Sequence, residues 1–189
     1  MDNPDRVMGI DPSLTGFAMV VLGDNYYQRK QLKSTSTKWG KTVKGRIARY
    51  RYLVGSCLEF AEEHGISQFF IEGYSFGSQG ASTVTLGEFG GVLRDRLLWR
   101  NNTVVEIAPT QGKKFATRKG NANKIAVVQA VAKTYGIFFE DDNLADAYIM
   151  ARIGRVIVGG EAVANLDQAG VVNKLKGQYD EVRESTTRP

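Results

Sequence analysis

Apolar residues run together or alternate with polar residues in three segments near the start of the chain. The segments cover residues 6–11, 16–22 and 26–33, and turn-forming residues separate them at Pro12–Gly16 and Gly23–Asn25. Short apolar runs bounded by such residues are typical of paired β-strands. The pattern therefore predicts a three-stranded antiparallel meander.

The rest of the chain combines two short apolar runs with segments of helical spacing. Residues 67–73 and 103–109 are predicted strands, whereas three- and four-residue steps between apolar positions predict helices elsewhere. The helices are predicted at about 42–63, around Leu86–Leu97, at 121–136 and at about 143–158, with a basic loop at 110–120. This order of elements predicts an α/β domain in which helices flank a mixed five-stranded sheet.

The size of the chain favours one domain. It has 189 residues, 42% of them hydrophobic, which is enough for a single full core. We predict a main domain over residues 1–160 and a polar C-terminal tail or peripheral helix over 161–189. No apolar run approaches the roughly 20 residues that span a bilayer, and no leader pattern is present, so a soluble, cytoplasmic protein is expected.

The basic residues are concentrated in one part of the chain. The net charge is +5, and nine of the 25 Lys and Arg residues fall between Asn25 and Leu58, where there is no Asp or Glu. Outside this segment the 20 acidic residues outnumber the basic ones. Such polarity favours the binding of a polyanion to one face, because neutralised phosphates release counterions. A merely solvated basic face is the alternative.

Three acidic residues stand in apolar surroundings. Asp11 ends the first predicted strand, Glu72 ends the fourth, and Asp146 lies among small apolar residues of the last predicted helix. A buried carboxylate must be paired, protonated or bound to a metal. Separate explanations exist, since Asp11 can form a turn, Glu72 can pair with a buried base, and the acids at 141 and 142 can be helix N-caps.

One shared site explains the three acids together. If the first and fourth strands are neighbours, the carboxylates meet at one end of the sheet and repel one another. Mg²⁺ prefers such oxygen ligands, and a pair of these ions supports phosphodiester cleavage. The sequence therefore predicts two Mg²⁺ ions in one site, with Mn²⁺ as a substitute.

Four blocks of sequence resemble a known family in order and spacing. They are GIDPSLTGFA, FFIEGYSFG, APTQGKKFATRKGNANKIAVVQAV and NLADAYIMA, which lie between Val7 and Ala151. They resemble the motifs of the RuvC-type Holliday junction resolvases, which have the ribonuclease H-like fold. The resemblance implies a homodimeric, Mg²⁺-dependent endonuclease that nicks paired strands of a four-way DNA junction.

The resemblance also implies roles for individual residues. By position, Asp11, Glu72 and Asp146 would be the catalytic, metal-binding acids. The family usually has a further acid, or a histidine, three residues before the last Asp, where this chain has Asn143. Asn143 is therefore a predicted metal ligand without charge, and Asp142 is the alternative at this position.

Further residues are predicted to bind DNA. Lys113 and Lys124 match the two important lysines of the family, and Lys124 is predicted to act in catalysis by stabilising developing charge. The full predicted DNA-binding set is Lys113, Lys114, Arg118, Lys119, Lys124, Tyr74, Phe76, Lys41 and Lys44. Phe76 is favoured over Tyr74 for stacking at the junction. Solvated surface charges and aromatic loop anchors are the alternatives.

The function predicted from the sequence is a structure-selective DNA endonuclease with branched DNA as its partner. The helix around Leu86–Leu97 carries three glycines and matches the dimer-forming helix of the family. Neither a nucleotide cofactor nor a membrane partner is expected. The enzyme would act in the cytoplasm of a bacterial cell or phage-infected host. Two alternatives stay open: a junction-binding protein that does not cleave, and a nuclease of the same fold that acts on RNA–DNA hybrids.

Overall fold

The computed structural model describes residues 3–74, 81–99 and 102–186. The strands are β1 (Val7–Asp11), β2 (Gly16–Gly23), β3 (Tyr26–Lys33), β4 (Gln68–Glu72) and β5 (Thr103–Ile107). The helices are α1 (Ser36–Trp39), α2 (Val43–Glu63), α3 (Ala81–Leu98), α4 (Pro109–Thr117), α5 (Lys124–Tyr135), α6 (Asp142–Ile157) and α7 (Leu166–Thr186).

The five strands form one mixed sheet in the order β3-β2-β1-β4-β5. The strands β1, β2 and β3 pair antiparallel, whereas β4 and β5 continue the sheet parallel to β1. This confirms the predicted meander and the mixed α/β architecture. Ile10 of β1 pairs with Ile71 of β4, so the next residues, Asp11 and Glu72, end neighbouring strands at the same edge.

Helices cover both faces of the sheet, because successive strand residues point to opposite faces. Met8, Ile10 and Met19 pack with α2 and α3 on one face. Val7, Val20 and other strand residues whose side chains point to the opposite face pack there with α4, α5, α6 and α7. Two buried cores result, one on each face of the sheet.

Gly9 allows α6 to approach β1 at backbone distance. A Cβ atom on Gly9 would lie 2.0 Å from the carbonyl oxygen of Ala147 and 2.3 Å from the nitrogen of Ala151. Only a residue without a side chain fits between the two backbones. This contact places Asp146, the neighbour of Ala147, against the end of β1 that carries Asp11.

We expect Gly9→Ala to destabilise the fold by about 3 kcal/mol, because the added methyl group forces β1 and α6 apart. Urea unfolding at neutral pH measures the change. Gly170→Ala in α7 is the matched control, since a Cβ there meets nothing within 4 Å. It should stabilise the helix by about 0.5–1 kcal/mol. Equal stability of Gly9→Ala and the unmodified chain would contradict the close approach.

The segment 110–120 was predicted as a basic loop, and this prediction is wrong. Residues 109–117 form α4, with Pro109 in the first turn and Phe115 buried. The backbone N–H of Ala108 donates to Oε1 of Gln111 at 2.9 Å, which satisfies a donor at the start of the helix. The threonines, the glycine and the basic residues concealed the helix in the sequence because they weaken its apolar pattern.

The C-terminal segment forms the helix α7, which packs on the core. Val171, Leu175 and Tyr179 are buried, and the Tyr179 hydroxyl donates to Oε1 of Gln68 at 2.7 Å. This helix contacts β5 and α4. The domain boundary at residue 160 stays a prediction. Within the described residues no helix is long and apolar enough to cross a membrane.

Candidate active site

Asp11 lies at the end of β1 and is only 6% exposed. Its Oδ1 accepts the backbone N–H of Ser13 at 3.0 Å, so it also shapes the turn that leads into β2. Burial raises the pKa of Asp11 well above its usual value, and the charges of Glu72 and Asp146 raise it further. Turn formation therefore explains one oxygen contact of Asp11 but not its burial beside two other acids.

Glu72 and Asp146 complete a group of three acids. Burial raises the pKa of Glu72 to about 7, and the charge of Asp146 contributes to the rise. Burial likewise raises the pKa of Asp146 to about 6. Neither residue forms an ion pair with a Lys or Arg in the described part of the chain. The structure thus brings together the three acids that the sequence singled out. Their surroundings disfavour the ionised form of each carboxyl group.

Two lysines act on this group from a distance. The charges of Lys113 in α4 and Lys124 at the start of α5 both lower the pKa of Glu72 and of Asp146. Lys124 forms an ion pair with Asp142. This bond is the main reason why the pKa of Lys124 is raised. The site therefore places positive charge beside the acids, where an anionic substrate would also lie.

The donor set fits a hard divalent cation. Three carboxylates offer oxygen ligands, with Asp11 buried and Glu72 and Asp146 half-buried, and their mutual repulsion is a cost that a bound cation removes. Among residues 3–74, 81–99 and 102–186, no three Asp, Glu, His or Cys side chains already converge as a metal cage. The charges of the acids thus act on one another, although their side chains do not converge on one metal position.

Asn143 and its neighbours cap α6. Asp141 is the N-cap, and its Oδ1 accepts both the backbone N–H of Asn143 at 2.9 Å and the amide nitrogen of Asn143 at 2.7 Å. The Asn143 amide lies beside Gly16, at the start of β2. Asp142 is the first residue of the helix and pairs with Lys124, so the prediction that it is also an N-cap is wrong.

Of the two aromatic residues predicted to contact the junction, Tyr74 is within the described residues and Phe76 is not. Tyr74 follows β4, and its hydroxyl donates to the carbonyl oxygen of Gly87 at 3.2 Å. The guanidinium of Arg94 lies 4.4 Å from the centre of the Tyr74 ring. These contacts hold Tyr74 on α3 as a loop anchor. Phe76, the favoured stacking residue, lies outside the described residues.

The remaining predicted DNA contacts lie on three segments. Lys114 in α4 forms an ion pair with Asp167 at 3.4 Å, and Arg118 and Lys119 follow α4 in an exposed turn. Lys41 and Lys44 are exposed around the N-terminus of α2. Because β3 leads into this region and runs opposite to β2, α2 begins near the sheet end that carries the acids. These roles stay predictions.

Arg49 is a residue whose role the sequence did not reveal. It is one of the nine basic residues of the basic segment, yet it is buried. Its guanidinium donates to Oγ of Ser34 and to the carbonyl oxygens of Ser34 and Leu14, each at 2.7 Å. Arg49 therefore fastens the turn after Asp11 to the end of β3. Its position four residues before Leu53, on the apolar face of α2, was the available signal.

Comparison with known proteins decides the family. The family model for the crossover junction endodeoxyribonuclease RuvC matches residues 7–153, which is most of the chain and includes Asp11, Glu72 and Asp146. This chain belongs to the RuvC family. It is accordingly a junction-resolving endonuclease, a hydrolase that acts on DNA, and RuvC nucleases as a class depend on metal ions.

Solved structures of a RuvC protein share the fold of this chain. The Thermus thermophilus RuvC structure matches with a TM-score of 0.59 and 21% identity, over 77% of this chain and 90% of that chain. T. thermophilus RuvC in complex with a Holliday junction substrate matches with a TM-score of 0.62 and 19% identity, over 77% and 89%. Comparison with curated proteins found no significant match. The predicted ribonuclease H-like sheet with flanking helices is thereby confirmed.

Proposed function

We propose that this RuvC-family chain resolves Holliday junctions by paired nicking, with two Mg²⁺ ions at Asp11, Glu72 and Asp146. Other branched DNA is a further substrate class, and Mn²⁺ would substitute for Mg²⁺. The observation that carries the proposal is the group of three neighbouring acids with raised pKa values, two at strand ends of the sheet and one on α6. A DNA substrate implies work in the cytoplasm of a bacterial cell or phage-infected host.

The side chains of the chain divide the work at this site. Asp11 is the acid whose pKa is raised by the charges of both other acids, and it would be a ligand of both ions. When bound, the ions supply the Lewis acidity for phosphodiester hydrolysis. Lys113 would hold a phosphate of the cleaved strand beside the acids, and Lys124 would stabilise charge that develops on the phosphate oxygens. Asn143 would assist as a neutral oxygen ligand.

Basic residues around the site would bind the arms of the junction. Phosphates would be contacted around the N-terminus of α2 by Lys41 and Lys44, and in and just after α4 by Lys114, Arg118 and Lys119. Such contacts are independent of base sequence and weaken as salt concentration rises. A junction is recognised by the arrangement of its arms, so contacts on two separate segments suit this substrate. Stacking at the junction would be the task of Phe76.

A homodimer would provide two active sites for two strands. On α3, Phe89, Leu93 and Leu97 are buried in the core, whereas Cβ atoms on Gly87 and Gly91 would meet nothing within 4 Å. A groove of about 660 Å³ lies between α2 and α3 and includes Gly91. A partner helix can approach closely where side chains are absent. These features support α3 as the dimer helix.

Cleavage of a panel of DNAs tests the proposal. We expect symmetric nicks in opposite strands of a four-way junction in Mg²⁺, and little cleavage of linear duplex or RNA–DNA hybrid.

Gly91→Arg should give a monomer in light scattering and lose paired nicking, because the arginine fills the partner's space. Gly177→Arg on the exposed side of α7 is the control and should behave as the unmodified chain. A Gly91→Arg variant that stays dimeric would contradict the proposed interface. Failure of the unmodified chain to cleave the four-way junction would contradict the proposed function.

A further inference from the structure

Lys124 and Asp142 form an ion pair at the rim of the candidate active site. Lys124 is the first residue of α5 and Asp142 is the first residue of α6, so the starts of the two helices meet here. The Lys124 side chain is 66% exposed and that of Asp142 is 32% exposed. Exposed pairs of this kind contribute little to stability. Stability alone therefore does not explain why this carboxylate lies beside the acids.

Asp142 also lies within electrostatic reach of two of the three acids of the site. Its charge raises the pKa of both Glu72 and Asp146. It stands four residues before Asp146, which puts both carboxylates on one side of α6. Asn143, in contrast, directs its amide nitrogen to Asp141. Of the two residues open for the fourth ligand position, Asp142 is the one that brings negative charge to the acids.

The ammonium group of Lys124 and a divalent cation are alternative counter-ions for the Asp142 carboxylate. A carboxylate oxygen is a preferred ligand of Mg²⁺ and Mn²⁺. The ion carries twice the charge of the ammonium group and would also be held by Asp11, Glu72 and Asp146. The lysine pair is partly open to water, so it can dissociate without any change in the core.

We propose that Asp142 is a ligand of the metal site and that metal binding transfers it from Lys124 to the ion. While no metal is bound, Asp142 stays in its ion pair with Lys124. The released Lys124 then faces the DNA phosphate. The carboxylate missing at Asn143 is thereby replaced from the neighbouring position, and Lys124 becomes available only when the site is loaded. This inference rests on the proposed metal site at Asp11, Glu72 and Asp146.

Direct measurement of Mn²⁺ affinity tests the proposal without an activity assay. Calorimetric titration of the full chain should show at least about tenfold weaker Mn²⁺ binding for Asp142→Asn. Asp167→Asn is the matched control, because it removes the carboxylate of another partly exposed Lys–Asp pair, that of Lys114. Its Mn²⁺ affinity should stay within about twofold of the unmodified chain, since surface pairs away from the site have little effect.

Lys124→Gln removes the competitor and should tighten Mn²⁺ binding. Part of this gain comes from charge alone, so Lys113→Gln serves as the comparison, because Lys113 acts on Glu72 and Asp146 by charge. The gain with Lys124→Gln should be the larger, and the excess should vanish in the Asp142→Asn background. Equal gains for the two lysine variants would overturn the transfer of Asp142. This comparison keeps Asp142 intact and decides the matter if Asp142→Asn does not fold.

Asp11→Asn in the same titration separates this inference from the proposed function. If Asp11→Asn weakens Mn²⁺ binding and Asp142→Asn does not, the metal site stands and the role of Asp142 is overturned. If neither variant changes the affinity, the metal binds elsewhere and the proposed function fails. Weaker binding in both variants, with the lysine comparison as expected, supports both.

Discussion

Asp11→Asn is expected to lower the rate of junction cleavage by at least about 10³-fold, the order seen when one group that stabilises a transition state is removed. Asp11 is buried, and the charges of both Glu72 and Asp146 act on it. Replacement of its carboxylate by an amide removes the charge that both ions would share. Junction affinity should change by less than about threefold, because phosphate contacts by basic residues supply most of the binding.

Cleavage of a labelled four-way junction in Mg²⁺ and a gel-shift assay at one salt concentration measure the two effects. Asp180→Asn is the matched control, because it makes the same change on the exposed side of α7. It should cleave and bind as the unmodified chain does. Full cleavage by Asp11→Asn would show that the group of three acids is not the catalytic site, and loss of binding alone would assign Asp11 to DNA recognition.

The stability of the metal-free protein is expected to fall as pH rises from about 4.5 to 8. The pKa of Glu72 is raised to about 7 in the fold from an ordinary value of 4.5, so the folded state holds a proton that the unfolded state has released. Stability decreases with pH wherever the native state binds more protons. The loss for this residue is about 3 kcal/mol, since each pKa unit corresponds to about 1.4 kcal/mol.

Glu72→Gln should remove the part of this dependence that comes from Glu72, whereas the raised pKa values of Asp11 and Asp146 leave a remainder. The amide cannot ionise, so the variant in EDTA should be more stable than the unmodified chain at pH 8 by up to about 3 kcal/mol. The two should be nearly equally stable at pH 4.5. Urea unfolding at both pH values gives the free energies. Added Mg²⁺ should stabilise the unmodified chain at pH 8 by mass action and leave Glu72→Gln less affected. A difference that does not vary with pH would contradict the raised pKa.

These two predictions describe one compromise in the fold. Burial of Asp11, Glu72 and Asp146 at the sheet edge costs stability when no metal is present. The same partial burial removes water from the acids, which strengthens their attraction for a cation and for developing charge. Removal of an acid should therefore stabilise the metal-free protein and abolish its chemistry, a combination typical of active-site residues.

Local sequence patterns were sufficient for the strands and for most helices. Alternating or continuous apolar runs place β1 to β5 within a few residues of their observed bounds. The helix α2 was equally clear, because its apolar residues recur at helical spacing over about 20 residues. The helix α4 was missed because it is short and rich in polar residues, so its burial through Phe115 depends on contacts with distant parts of the chain.

The candidate site divides in the same way. Asp11, Glu72 and Asp146 stood out because charged residues in apolar runs need an explanation wherever they are folded. The burial of Arg49 did not stand out, because its partners, Ser34 and the Leu14 carbonyl, are brought to it by the packing of α2 on the meander. Tyr74 likewise acquired its packing role only through Arg94 of α3.

The amino-acid sequence by itself determined which residues had to be buried and which acids would be costly there, because hydrophobicity and charge are properties of each residue. It therefore determined the meander, the two further strands, most of the helices, and the three acids of the site. Only the tertiary structure decided which groups lie beside those acids. The pairing of Asp142 with Lys124 joins residues 18 positions apart through the meeting of two helix starts. Such contacts depend on how whole elements pack, and no local pattern records them.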